Sequence, residues 1–313
     1  MDSYRILVTD GLQDGGLSIL EREAEVVNKK GISPEELKKE INGFDAVIVR
    51  SATKMTEEMI NNAKNLKVIG RCGVGVDNID LKAASARGIT VVNAPSATTT
   101  AVAELTLGLI FSLARKIPRA DASMKRGEWK KKDFMGEELY GKTLGIIGYG
   151  RIGSAVGQMA FSVGMRIMAC CLFRIPETIR IIGGELLEME EIIEKSDFIT
   201  IHTPLTEKTE GMIGADAIAR MMDGVYIICT ARGGIIDELA LLKALNSGKV
   251  AGAALDVYAE EPPQNRDLIN HPHVVATPHI AGQTRAAQHR ASVDIAKEVL
   301  AALRGEKLHW KVI

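Results

Sequence analysis

The stretch Leu144-Gly-Ile-Ile-Gly-Tyr-Gly-Arg-Ile-Gly153 decides how this chain should fold. It begins within a short apolar run that has the length and composition of a β-strand and that ends at Gly148. The spacing Gly148-x-Gly150-x-x-Gly153 follows, and apolar residues then recur at helical intervals as far as position 163. The pattern predicts a strand, a tight glycine turn and a helix.

Each glycine of this turn has its own physical role. Gly148 lets the chain turn sharply, Gly150 lets a pyrophosphate approach the backbone, and Gly153 lets the helix pack closely on the strand. The free N–H groups at the helix N-terminus, together with the helix dipole, would bind the phosphates. We therefore predict a dinucleotide site here, and the alternative is a tight turn of purely structural origin.

Length and composition are those of a globular protein with two domains of ordinary size. The 313 residues are 46% hydrophobic and 25% charged, with a formal net charge of -1. No basic excess points to nucleic acid or to an anionic membrane, and we expect neither a signal peptide nor a membrane span. The four cysteines form no CxxC pair, so we expect thiols in a reducing cytoplasm.

Predicted strands and helices alternate along the chain in two series. The first series covers about the first 97 residues, and the second begins at Leu144. Alternation of this kind predicts parallel sheets with helices on both faces, so we expect an α/β protein with two doubly wound domains. Residues 1–97 and 286–313 are assigned to one domain, to which the last helix returns, and residues 98–285 to the other.

Polar residues directly after the predicted strands are the candidate functional groups, because ligands of such sheets bind beyond the carboxyl ends of the strands. Arg232, Glu261 and His279 have such positions, and together they suggest an acid–base pair and an anion clamp. Arg71-Cys-Gly-Val-Gly75 follows a strand of the first series and is either an anion-binding nest of N–H groups or a tight turn. His271-Pro-His273 has no further nearby ligand, so we predict no metal site.

Several stretches resemble the D-isomer-specific 2-hydroxyacid dehydrogenase family. The family-specific motifs are Val49-Arg-Ser-Ala-Thr-Lys54, Arg71-Cys-Gly-Val-Gly-Val-Asp-Asn78, Phe134-Met-Gly136, Gly141-Lys-Thr-Leu-Gly-Ile-Ile-Gly-Tyr-Gly-Arg-Ile-Gly153, Phe198-Ile-Thr-Ile-His-Thr-Pro-Leu205, Ala231-Arg-Gly-Gly-Ile-Ile-Asp-Glu238, Gly252-Ala-Ala-Leu-Asp-Val-Tyr258 and Pro278-His279. The resemblance covers residues 4–305 approximately. It implies a flavodoxin-like substrate domain and a Rossmann dinucleotide-binding domain. It also implies an NAD-dependent oxidoreductase, closest to the members that oxidise D-3-phosphoglycerate in serine biosynthesis.

The resemblance also implies roles for individual residues. His279 would accept the hydroxyl proton, Glu261 would orient the ring and stabilise the imidazolium, and Arg232 would bind the substrate carboxylate and C2 oxygen. Other substrate contacts would come from Arg50, which resembles the residue that meets the substrate phosphate, and from Ser51, Val74 and Gly75. The implied cofactor contacts are Gly148, Gly150, Arg151, Ile152, Gly153, Cys171, His202, Thr203, Pro204, Thr230, Ala231, Asp256 (near the nicotinamide) and Gly282.

Two features depart from the family pattern. Cys171 stands where the family has an acid for the adenosine ribose, and residues 169–174 contain no acid. NAD is therefore the expected cofactor, with NADP possible. The chain ends at Ile313, so we expect no appended regulatory domain and no serine feedback through one. A homodimer is expected, in which the basic run Lys130-Lys131-Lys132 resembles an arm that reaches the neighbouring subunit.

Two other functions stay open at this stage. A glyoxylate or hydroxypyruvate reductase would share most of the site, but Arg50 and the basic arm favour a phosphorylated substrate. A dinucleotide-sensing corepressor would share the fold and the trio Arg232, Glu261 and His279. Such proteins usually carry disordered extensions for partner binding, and we expect none here, so an enzyme is favoured.

Overall fold

A computed structural model describes residues 3–171 and 177–313. The chain divides into two compact units, one of which extends through Thr98 and includes Gln283–Ile313, while the other is Thr99–Gly282. The strands are β1 (Tyr4–Val8), β2 (Ala24–Asn28), β3 (Ala46–Val49), β4 (Val68–Arg71), β5 (Thr90–Asn93), β6 (Thr143–Ile147), β7 (Arg166–Cys170), β8 (Glu185–Leu186), β9 (Phe198–Ile201), β10 (Val225–Cys229), β11 (Val250–Leu255) and β12 (Val274–Ala276).

The helices connect these strands across the sheet faces. They are α1 (Asp14–Leu20), α2 (Pro34–Glu40), α3 (Glu57–Asn62), α4 (Leu81–Ala86), α5 (Thr99–Ala114), α6 (Ile117–Lys125), α7 (Arg151–Ser162), α8 (Thr178–Ile181), α9 (Met189–Lys195), α10 (Ala215–Arg220), α11 (Glu238–Ser247), α12 (Arg266–Ile269) and α13 (Arg285–Leu303). Short 3-10 turns occur at Ile41–Gly43 and Lys131–Phe134. No helix in the described part of the chain is long and apolar enough to cross a membrane.

The first unit is a parallel sheet of order β2-β1-β3-β4-β5. This is the flavodoxin-like order, so the predicted fold of this unit is confirmed. Helix α13 returns to the sheet and packs on α1 so closely that a Cβ at Gly16 would lie 2.3 Å from Ser292 Oγ. The C-terminal tail then pairs antiparallel with β5, where Val312 N–H donates to Val91 O at 2.8 Å.

The second unit is a parallel sheet of order β12-β11-β10-β9-β6-β7-β8. Strand β6 lies within the sheet, and the chain reverses its winding direction between β6 and β9. This is the Rossmann order extended by one strand, so the predicted dinucleotide-binding fold is confirmed. The sequence pattern does not predict β8, because a strand of two residues is too short to show any periodicity.

The glycine turn after β6 depends on close backbone packing. A Cβ at Gly153 would lie 2.3 Å from Gly148 O and 3.1 Å from the Ile146 side chain, whereas a Cβ at Gly150 would meet no described atom within 4 Å. Gly150 also has φ -87°, which any residue can adopt. The third glycine is therefore required by packing within the protein, and the second is not.

This difference gives a stability prediction. Gly153→Ala should lower the free energy of unfolding by about 1–3 kcal/mol, the usual cost of overpacking, because the new methyl group clashes with backbone that cannot move aside. Thermal denaturation should show a lower Tm for this variant. Gly150→Ala is the matched control and should keep the Tm of the parent protein. Equal Tm values for all three proteins would contradict the packing role of Gly153.

Candidate active site

The turn after β6 leaves an open cradle at the N-terminus of α7. Gly148 has φ +99°, a conformation that favours glycine, and a Cβ there would lie 2.8 Å from the carbonyl carbon of His202. Gly150 is the N-cap residue of α7, and it has no side chain with which to cap this helix. The N–H groups of the first turn can therefore bind an anion such as a pyrophosphate.

Two buried polar atoms lie beside this turn and have no hydrogen-bond partner among the described residues. They are His202 Nδ1 and Thr203 Oγ1, which follow β9 next to Gly148. Burial lowers the pKa of His202 to about 3, so the ring is neutral, and its Nε2 is 2.9 Å from Thr200 Oγ1. Since buried polar atoms nearly always have partners, both atoms fit a bound ligand. Together with the open cradle, they fit a dinucleotide.

The other candidate cofactor residues of this unit also follow strands. Cys171 follows β7, Thr230 and Ala231 follow β10, and Asp256 follows β11. Cys171 Sγ donates a weak hydrogen bond to Tyr149 O at 3.7 Å, so the thiol lies against the glycine turn. Arg174, which could meet a 2′-phosphate, lies outside the described residues.

Asp256 is completely buried and binds the loop that carries His279. Its Oδ1 accepts hydrogen bonds from Thr277 Oγ1 at 2.6 Å and from Ile280 N at 2.9 Å. Its Oδ2 accepts one from Ala281 N at 2.9 Å. The family resemblance implies only a place near the nicotinamide for Asp256. Its contacts within the protein fix residues on both sides of His279.

His279 is held in a left-handed backbone conformation, with φ +51°. Its Nδ1 is 2.8 Å from Glu261 Oε2 and 3.1 Å from Oε1, while Tyr258 N–H donates to Glu261 Oε1 at 3.3 Å. An ionised carboxylate can only accept, so Nδ1 carries the proton in this contact. The neutral ring then has its lone pair on Nε2, which makes the side chain a competent proton acceptor.

Tyr258 supports both sides of this pair. Its hydroxyl lies 2.9 Å from Leu255 O and 2.9 Å from Thr277 O, which belong to the segments that precede Asp256 and His279. Burial, reinforced by the charge of Asp256, raises the pKa of Tyr258 to about 12, so the hydroxyl keeps its proton and remains a donor. Tyr258 is a supporting residue that the sequence analysis did not single out.

Arg232 lies in the turn after β10, packed on the Tyr258 segment. A Cβ at Gly233 would lie 1.7 Å from Tyr258 O, so only glycine permits this approach. Arg232 Nη1 donates to Ala231 O at 2.7 Å, and the side chain is half-buried. The turn that carries Arg232 therefore packs on the Tyr258–Glu261 segment. Glu261 of that segment contacts His279. All three predicted catalytic residues belong to the second unit.

The candidate substrate residues outside this trio belong to the first unit. Arg50 and Ser51 follow β3, and Val74 and Gly75 follow the neighbouring strand β4. The N–H groups of Val74 and Gly75 donate to no carbonyl among residues 3–171 and 177–313, as an anion-binding nest requires. Across those same residues, no group of three or more His, Cys, Asp or Glu side chains could hold a metal ion.

Comparison with known proteins gives a family match. The model of the D-isomer specific 2-hydroxyacid dehydrogenase NAD binding domain matches residues 107–281. D-3-Phosphoglycerate dehydrogenase from Methanocaldococcus jannaschii is 48% identical over 303 residues, which are 96% of this chain and 58% of that protein. The enzyme of the same name from Bacillus subtilis is 46% identical over 96% of this chain and 57% of its own length. The chain thus spans less than two thirds of the length of these relatives.

Solved structures of similar length share the whole fold. The TT0316 protein from Thermus thermophilus is 35% identical with a TM-score of 0.91, over 99% of this chain and 100% of that one. A glyoxylate reductase from Paecilomyes thermophila is 30% identical with a TM-score of 0.92, over 100% and 99% respectively. The chain belongs to the D-isomer-specific 2-hydroxyacid dehydrogenase family, and Thr99–Gly282 contains the NAD-binding domain of that family.

Proposed function

We propose that the protein is a D-3-phosphoglycerate dehydrogenase, which oxidises D-3-phosphoglycerate to 3-phosphohydroxypyruvate with NAD in serine biosynthesis. The observation that carries the chemistry is the 2.8 Å contact between His279 Nδ1 and Glu261, because it prepares Nε2 to take a proton. The relatives of that name support the substrate, since they are 45–48% identical over nearly all of this chain.

The proposed reaction divides the work among three side chains. NAD, when bound at the glycine turn, supplies the hydride acceptor. His279 Nε2 takes the proton of the C2 hydroxyl, and Glu261 stabilises the resulting imidazolium. Arg232 binds the substrate carboxylate and the C2 oxygen through its guanidinium. The cofactor is held by the candidate residues named from the sequence, which all lie in the second unit.

The first unit is proposed to bind the substrate. Arg50 pairs with the phosphate, Ser51 lies beside it, and the N–H groups of Val74 and Gly75 hold the carboxylate. Both loops follow adjacent strands, so they converge at the carboxyl edge of one sheet. The alternative function is that of a reductase for glyoxylate or hydroxypyruvate. Neither of those substrates carries a phosphate that Arg50 could bind.

A homodimer is proposed as the working form. Large apolar side chains cluster in sequence between α6 and β6, where Trp129 is 80% exposed and Met135 and Tyr140 are each 81% exposed. Contiguous exposed apolar surface marks a protein–protein interface, so we infer that this segment packs against a second copy of the chain. Sedimentation equilibrium of the purified chain tests the proposal, and a monomer at micromolar concentration would contradict it.

A reducing, cytoplasmic location is also proposed. All four cysteines are free thiols, including the adjacent pair Cys170 and Cys171. Burial raises the pKa of Cys229 to about 11, which keeps that thiol protonated and unreactive. Cell fractionation of the source organism tests this location, and recovery outside the cytoplasm would contradict it.

Loss of the proton acceptor should stop the chemistry and spare cofactor binding. His279→Ala should lower kcat by about 10²-fold or more, the usual scale of general acid–base groups, with little change in NAD affinity. Steady-state kinetics and a fluorescence titration with NADH measure the two effects. His309→Ala is the matched control, since His309 also contacts a glutamate, Glu298, but in the first unit. Near-normal kcat in His279→Ala would remove this residue from the mechanism.

Recognition of the phosphate should depend on Arg50. Arg50→Ala should weaken binding of phosphoglycerate by about 1.5–3 kcal/mol, the value of a hydrogen bond to a charged group, and this appears as a higher KM. Activity on unphosphorylated D-glycerate should change little. Arg22→Ala removes an exposed arginine of the same unit and serves as the control. An equal loss on both substrates would favour the reductase.

Cofactor choice should depend on Cys171. A neutral thiol neither binds the ribose hydroxyls strongly nor repels a 2′-phosphate, so we expect NAD to be preferred only weakly, with NADP usable. Cys171→Asp should raise the ratio of kcat/KM for NAD to that for NADP. Cys170→Ser changes the neighbouring thiol as a control. A parent protein that already excludes NADP as strongly as Cys171→Asp would refute this prediction.

A further inference from the structure

The loop that carries Arg50 is held by the side chain of Asp10, which follows β1, the strand next to β3 in the sheet. Asp10, just beyond β1, accepts hydrogen bonds through Oδ2 from Arg50 N at 2.6 Å and from Thr53 N at 3.2 Å. Its Oδ1 accepts another from Thr53 Oγ1 at 2.8 Å. Two backbone N–H groups of the loop are therefore hydrogen-bonded to a side chain just after the end of β1.

Asn78 holds the carbonyl side of the same loop. Its Nδ2 donates to Arg50 O at 2.7 Å and to Thr53 O at 2.6 Å, so both hydrogens of the carboxamide are used. The backbones are joined as well, since Met55 N–H donates to Asn78 O at 2.8 Å and Asp80 N–H donates to Met55 O at 2.9 Å. The loop from residue 50 to 55 is thus held between Asp10 and Asn78.

Asn78 also ends the turn that contains the Val74–Gly75 nest. This turn is anchored at its start, where Cys72 N–H donates to Val49 O at 2.9 Å, and in its middle, where Asn93 Nδ2 donates to Val74 O at 2.7 Å. Asn78 therefore joins two loops that carry two different candidate anion sites. Its side chain contacts the first of these loops, and its backbone ends the second.

The charge of Arg50 acts on Cys72, two residues before Val74. Burial raises the pKa of the Cys72 thiol, and the positive charges of Arg50 and Arg71 oppose that rise. A ligand that carries two anionic groups a few bonds apart can bind the Arg50 site and the Val74–Gly75 nest at the same time if the distance between these two sites is fixed.

We propose that Asn78 is a positioning residue that sets the spacing between the Arg50 site and the Val74–Gly75 nest, and thereby selects a 2-hydroxy acid that carries a phosphate on its third carbon. This inference rests on the proposed function, because it assigns the phosphate to Arg50. Asn78 touches neither anion itself. It acts through the two carbonyl groups that it binds.

Kinetics of Asn78→Leu on two substrates test the proposal. The neutral side chain has similar size but no donor, so two carbonyl groups lose their partner and the Arg50 loop shifts. We expect KM for phosphoglycerate to rise about tenfold, the value of a hydrogen bond left unmade, while kcat, KM for D-glycerate and NADH affinity change less than about twofold. Asn65→Leu is the control, since Asn65 Nδ2 also donates to a loop carbonyl, Asn42 O at 2.7 Å, in the same unit.

A double-mutant cycle with Arg50→Ala separates positioning from general stability. If Asn78 acts through Arg50, adding Asn78→Leu to Arg50→Ala should raise KM for phosphoglycerate no further. Additive effects, or equal losses on both substrates, would overturn the positioning role. Asn78→Ser is measured in parallel, so that a folding defect in one variant leaves the test intact. If Arg50→Ala itself shows no selective effect on phosphoglycerate, the proposed function fails first, and that result is distinct from a failure of Asn78 alone.

Discussion

The buried carboxylate of Asp256 is the constraint on which the candidate active site depends. It has no exposed surface, and it is satisfied by three hydrogen bonds from Thr277, Ile280 and Ala281. Removing a partner from such a group leaves a buried charge uncompensated, which costs several kcal/mol, so the loop and the carboxylate must form together. Because the three donors surround His279, the same bonds hold the histidine in its left-handed conformation, against Glu261.

The fold could be predicted from the sequence because it depends on local patterns. Short β-branched runs and amphipathic helices alternate along the chain, and Ser33-Pro34 has the composition of a helix start where α2 begins. The missed elements have no such pattern. Strand β8 is two residues long, and the pairing of the C-terminal tail with β5 joins residues more than two hundred positions apart.

Part of the candidate site could be predicted as well, for the same reason. Gly148, Gly150 and Gly153 carry a spacing that has a physical mechanism, and family motifs point to Arg232, Glu261 and His279. The supporting residues could not be predicted, because their roles lie in contacts between distant segments. Asp10 and Asn78 meet the Arg50 loop from 40 and 28 positions away, and nothing local to either residue indicates that loop. The only sequence signal is the position of an Asp or Asn shortly after a strand. This position does not indicate which loop the side chain will bind.

If the Asp256 carboxylate places His279 for proton transfer, a change at Asp256 alone should slow the chemical step. Single-turnover formation of NADH by Asp256→Asn, with NAD and the proposed substrate D-3-phosphoglycerate both saturating, measures this directly. The carboxamide of asparagine has the same shape as the carboxylate, but its NH2 group is a donor that would face a donor of the loop. We therefore expect the loop to shift and His279 to move with it. We expect a rate of NADH formation roughly 10–100-fold lower, the cost of misplacing a reacting group by about an ångström, with a larger primary deuterium isotope effect at C2. An unchanged rate and isotope effect in a folded Asp256→Asn protein would contradict this role of the carboxylate.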